Sequence, residues 1–95
     1  MYQSRGEFDV QFADLLSATE RLCDERSRDA ALAGARRSLL LLQERFKRGE
    51  KMPRADRRLL TGATELLRRI SRGDERFHDQ IADIEDYIED QLTSK

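Results

Sequence analysis

Few residues in this chain could do chemistry on their own. His78, the only histidine, stands three positions after Glu75 in the stretch "DERFHD". Glu-x-x-His is the i, i+3 spacing that ferritin-like carboxylate sites use on two of their four helices. One chain would supply half such a site, and a symmetric dimer two halves. At about 100° per helical residue, Phe77, Ile81, Ile84 and Ile88 fall in a narrow arc that must face a core. His78 then lies about 90° from the arc's centre and Glu75 about 150° away. The pair is expected on a solvated acidic face shared with Asp79, Asp83, Asp86 and Asp90. A dimeric metal-carboxylate protein built on Glu75 and His78 is therefore kept only as an alternative, and no cofactor is predicted. Cys23 is the only cysteine, which excludes an intrachain disulfide and a cysteine metal cluster. It reads as a small apolar side chain on a helix. With no Ser/His/Asp or Cys/His arrangement and no phosphate-cradling glycine loop, the chain is read as non-enzymatic.

Arginine is the next candidate. The chain carries 18 basic and 19 acidic side chains, unevenly spread. Positions 1–35 hold 4 basic and 7 acidic residues, 36–72 hold 12 and 4, and 73–95 hold 2 and 8. Arg57, Arg58, Arg68 and Arg69, with Arg54 and Arg72, occupy much of the polar side of one predicted helix. Arg36, Arg37, Arg45, Lys47 and Arg48 extend the basic segment into the helix before it. A phosphate backbone could bind there in a salt-dependent way. No recognition motif is present, however, and no aromatic residue lies among these arginines to stack on bases. The acidic last segment could also pair with the same side chains. Nucleic-acid binding by positions 36–72 is thus the second reading.

The elements that must position these residues are helices. Phe8, Phe12, Leu15, Thr19 and Leu22 recur at helical spacing, with Leu16 and Cys23 widening the stripe. Leu32, Ala35, Leu39, Leu42 and Phe46 form a second stripe in a shifted phase. No Gly or Pro separates the two, so a long or kinked helix over about 7–48 is favoured over two helices joined near Ser27 to Asp29. Lys47, Arg48 and Gly49 make a helix C-terminus, and Pro53 suits the start of the next helix. That helix carries Leu59, Ala63, Leu66 and Ile70, flanked by Leu60 and Leu67. Gly73 ends it, and Asp74 can cap a last helix bearing Phe77, Ile81, Ile84, Ile88 and Leu92. The predicted fold is all-α: one domain over 1–95, positions 1–6 frayed, in a small antiparallel bundle of three or four helices. The last two are expected to run about 20 residues each.

The run "SLLLLQERF" (38–46) best supports a function. Leu39 and Leu42 lie on the stripe, whereas Leu40 and Leu41 fall about 120° and 140° from its centre. A helix apolar on all sides is normally buried on more than one side. The favoured function is therefore a protein–protein interaction module: a regulator, chaperone or adaptor, docking on another protein or forming a homodimer. Its expected partner-binding residues are Leu40, Leu41, Leu60 and Leu67, with Arg57, Arg58, Arg68 and Arg69 at the rim. No stretch approaches the roughly 20 apolar residues that span a bilayer, and no signal-peptide pattern is present. A cytoplasmic location with no membrane partner is expected.

Overall fold

A computed structural model describes residues 4–93. Four helices follow in order: α1 (Arg5–Glu25), α2 (Ala30–Lys47), α3 (Arg57–Ile70) and α4 (Glu75–Tyr87). A 3₁₀ turn, Arg54–Asp56, leads into α3, and one stretch of π-helix, Ile88–Leu92, continues α4. No strand occurs among the described residues; the only sheet-like contact there is an isolated bridge between Met52 and Thr93.

The helix ends follow local chemistry. Ser4 caps α1, its Oγ accepting from the Glu7 N–H at 3.2 Å. Asp29 caps α2 by accepting from Leu32 N–H at 3.1 Å, and Asp74 caps α4 by accepting from Phe77 N–H at 3.0 Å. Gly49, at φ +77°, ends α2. The following Glu50 N–H donates to the Arg45 carbonyl at 2.9 Å, the long bond of a Schellman cap. Gly73, at φ +90°, turns the chain between α3 and α4.

Three expectations need correction. The long or kinked first helix is two helices, because Asp29 starts α2 without help from Gly or Pro, after a turn over positions 26–28. Within the supposedly frayed start, Ser4 to Gly6 are helical cap and first turn, while residues 1–3 lie outside the described residues. Finally, α3 and α4 are shorter than 20 residues, at 14 and 13, since the chain enters α3 through a 3₁₀ turn and leaves α4 through a π turn.

The helices run up-down-up-down. α2 packs most extensively on α3 and next on α1, while α4 lies against α1. The backbones of α3 and α4 stand farther apart and are joined by long polar side chains. The molecule measures 36 × 25 × 18 Å, so it is two helix layers thick and every helix pair has an outer surface. One cluster of buried residues forms the core. At one end four aromatic rings meet: Phe8 stacks on Tyr87 at 4.4 Å, and Phe46 meets Phe8 and Phe12 edge-on at 5.9 and 5.8 Å. Arg5 closes this end, its guanidinium donating to the Phe46 carbonyl at 2.8 Å and lying 5.7 Å from the Phe8 ring centre. The connection into α3 is latched to the end of the π segment, where Met52 N–H donates to Leu92 O at 2.6 Å.

Candidate functional site

The eight residues expected to face a partner separate into three environments. Leu60 and Leu67 are core residues, 5% and 0% exposed, so they offer nothing to a partner. The expectation placed the centre of the α3 stripe at Leu59, Ala63, Leu66 and Ile70. In the fold the helix is rotated, and Leu60, Ala63, Thr64 and Leu67 face inward. Leu59, Leu66 and Ile70 are left half-buried.

Ion pairs accompany that rotation. Arg57 Nη2 lies 2.8 Å from Glu89 Oε2, and Arg68 Nη2 bonds Glu85 Oε1. Positions 57, 64 and 68 lie on one side of α3, and 85 and 89 on one side of α4. Thr64 Oγ1 donates back to the Leu60 carbonyl at 3.0 Å and sits 3.4 Å from Glu85 Oε2. Arg57 and Arg68 therefore line a groove of about 420 Å³ between α3 and α4, neutralised by the acidic helix. This side of α3 turns to α4, so Leu59, Leu66 and Ile70 must lie on the side toward α2.

α2 is oriented by the same logic. Arg36 lies 3.8 Å from Glu20 of α1, which puts the side with Arg36, Leu40 and Gln43 toward α1. Leu40 is half-buried against the core there. On the other side Arg45 Nη2 lies 3.1 Å from Asp56 Oδ2, just before α3. That is an ion-pair distance without hydrogen-bond alignment, and Arg45 Nε has no acceptor among the described residues. Leu41 stands one turn before Arg45 and one turn after Arg37, and is 46% exposed.

The outer edge of the α2–α3 pair thus carries an apolar ridge of Leu41, Leu59 and Leu66. Arg37 is partnered by no ion pair among the described residues, nor are Arg58 and Arg69, and all three are exposed. Of the expected residues, Leu41, Arg58 and Arg69 belong to this face. Leu59, Leu66 and Arg37 were not singled out by sequence, because both leucine pairs of α3 sit symmetrically about its apolar arc. The pairing of positions 57 and 68 with the 85/89 row was the one available signal.

The metal alternative gains no geometry. Glu75 is exposed, and half-buried His78 directs Nε2–H to the Ser71 carbonyl at 3.1 Å, which ties the ring to the end of α3. Among the described residues no three His, Cys, Asp or Glu side chains converge as a metal site would require. Cys23 is half-buried, its Sγ 3.7 Å from the Leu32 carbonyl.

The opposite edge, between α1 and α4, has the reverse character. A groove of about 610 Å³ runs there, lined by Gln11, Asp14, Ala18, Arg76, Phe77 and Asp79 among others. A second hollow of about 230 Å³ adjoins it through Ala18, Arg21 and Phe77. α2 and α3 together carry eight basic and two acidic side chains. α1, α4 and the π segment carry three basic and thirteen acidic ones.

Fold and face define an up-down four-helix bundle with a basic, leucine-bearing edge and an acidic, grooved edge. No helix is long and apolar enough to cross a membrane. No family model matches the chain, and no curated protein or solved structure matches it either.

Proposed function

We propose that the chain is a non-enzymatic helical interaction module, acting in the cytoplasm, whose docking surface is the outer edge of α2 and α3. The observation that carries this reading is the exposure of Leu41 beside partly buried Leu59 and Leu66; Val10, 62% exposed on the outer face of α1, has no such apolar neighbours on its own helix face. Fully burying a leucine is worth about 1.5–3 kcal/mol, so covering what remains exposed on all three yields about 1–3 kcal/mol. That is below the roughly 4–15 kcal/mol that association costs in lost freedom. The ridge therefore needs charge complementarity from its arginines, and the partner surface must be acidic.

Leu41→Asp tests the reading. The side chain is nearly half in water already, so the variant should remain folded and lose association, whether with itself or with a co-purifying protein. Light scattering reads the association and circular dichroism the fold. A folded variant that associates as the wild type does would refute the ridge.

Nucleic-acid binding by the basic segment is the weaker reading. Arg36, Arg45, Arg57 and Arg68 are each opposite a carboxylate, which takes four of the segment's twelve basic side chains out of the free positive surface.

A further inference from the structure

We infer that the partner of the basic edge is the acidic edge of a second copy of this chain, joined head to tail. The inference rests on the reading of the α2–α3 edge as a docking surface and names its occupant. The two edges lie on opposite sides of the same bundle. One projects leucine and arginine: Leu41, Leu59 and Leu66, with exposed Arg37, Arg58 and Arg69 beside them. The other receives. Its groove between α1 and α4 has Ala18 and half-buried Phe77 as apolar lining, Asp14 and Asp79 stand exposed at its margins, and its lining as a whole sets three carboxylates against the guanidiniums of Arg21 and Arg76. Gln11, on the same groove, holds its Oε1 buried with no hydrogen-bond partner among the described residues. An arriving guanidinium could satisfy that acceptor after a small side-chain rotation.

Opposite charge on opposite edges decides the symmetry. A two-fold dimer would bring a basic edge against a basic edge or an acidic one against an acidic one, and like charges across an interface disfavour both. A heterologous contact sets basic on acidic each time. It leaves one unused edge at either end, so copies add in a row or close into a ring.

The experiment uses two charge-reversal pairs on exposed residues. Arg58→Glu with Arg69→Glu disables the basic edge, and Asp14→Lys with Asp79→Lys disables the acidic edge. Sedimentation velocity of the wild type should show mass rising with concentration. The mass should fall back toward the monomer as salt goes from about 0.1 M to about 1 M, which shortens the screening length from about 10 Å to about 3 Å. Each double variant alone should be monomeric. In an equimolar mixture the two native edges remain complementary and the two reversed edges become so, so mass that rises with concentration should be restored.

Several results would overturn the inference. A wild type that stays monomeric at all concentrations removes the second copy, while leaving the ridge free for another acidic protein. Association that ignores the Asp14 and Asp79 changes but disappears with Leu41→Asp points to a two-fold contact through the ridge. Association that survives Leu41→Asp overturns the docking surface itself. Retardation of a DNA duplex, strengthened by the Asp14→Lys and Asp79→Lys pair and without self-association, would reassign the arginines to a polyanion.

Discussion

Leu66 and Leu67 are sequence neighbours with different environments, and truncating each in turn measures how α3 is rotated. Leu67 is fully buried. Leucine to alanine at such a site costs about 2–5 kcal/mol, from lost transfer energy and the cavity left behind. Leu66 is half-buried at the rim of the α2–α3 pair. Leu66 packs against the edge of the core with part of its side chain in water, so most of a leucine's 1.5–3 kcal/mol is at stake but no closed cavity forms, and Leu66→Ala costs about 1–2 kcal/mol. Both changes exchange leucine for alanine in one helix, so the propensity gain cancels in the comparison. In a domain of this size each kcal/mol moves the melting midpoint by about 4–8 °C. Leu67→Ala should therefore melt about 4 °C or more below Leu66→Ala. Urea and thermal unfolding of dilute protein, followed by circular dichroism, give the comparison, and the denaturant slope should be the same for both. Equal losses, or a larger loss at Leu66, would refute the assignment. The arc through Leu59, Leu66 and Ile70 would then face the core, and the ridge would not exist.

Two further substitutions probe the helix ends. Asp29→Ala should cost about 0.5–2 kcal/mol in urea unfolding, with Asp29→Asn keeping most of the stability. Were α1 and α2 one continuous helix, alanine there would stabilise instead. Gly49→Ala should cost about 1–2 kcal/mol, because a Cβ at φ +77° is strained although it meets no atom within 4 Å. Gly49→Asn should lose less, and an unchanged midpoint for the alanine variant would mean that the Schellman cap does not form.

The sequence was most legible where a residue's local preference and the fold agree. Gly49, Gly73 and Asp74 announce helix ends because left-handed φ and side-chain capping are local properties. The stripes of α1 and α2 are centred on their buried residues, since each has one apolar arc and a clear polar opposite. The break at 26–29 was weighed but not favoured, because a single aspartate makes it and aspartate is also a common surface residue. α3 was misrotated because leucines flank its small central residues on both sides. Local pattern cannot break that tie, whereas Glu85 and Glu89, supplied by another helix, do. For the same reason the site was half legible: Leu41, Arg58 and Arg69 followed from the wheel of their own helix, whereas Leu59, Leu66 and the release of Arg37 depend on which neighbours capture which side chains.

The aromatic cluster has a consequence for how the chain must be made. Phe8 and Phe12 lie at its beginning, Phe46 in the middle, and Tyr87 near its end. The ring that stacks on Phe8 is about eighty positions downstream, so closing this contact requires α4 to be present. During synthesis from the N-terminus, α1 and α2 can pair early, but Phe8 keeps one face in water until the last helix arrives. Closure of this end of the bundle is then bound to the arrival of α4 rather than built up by halves. A chain halted before α4 carries an open aromatic face on Phe8.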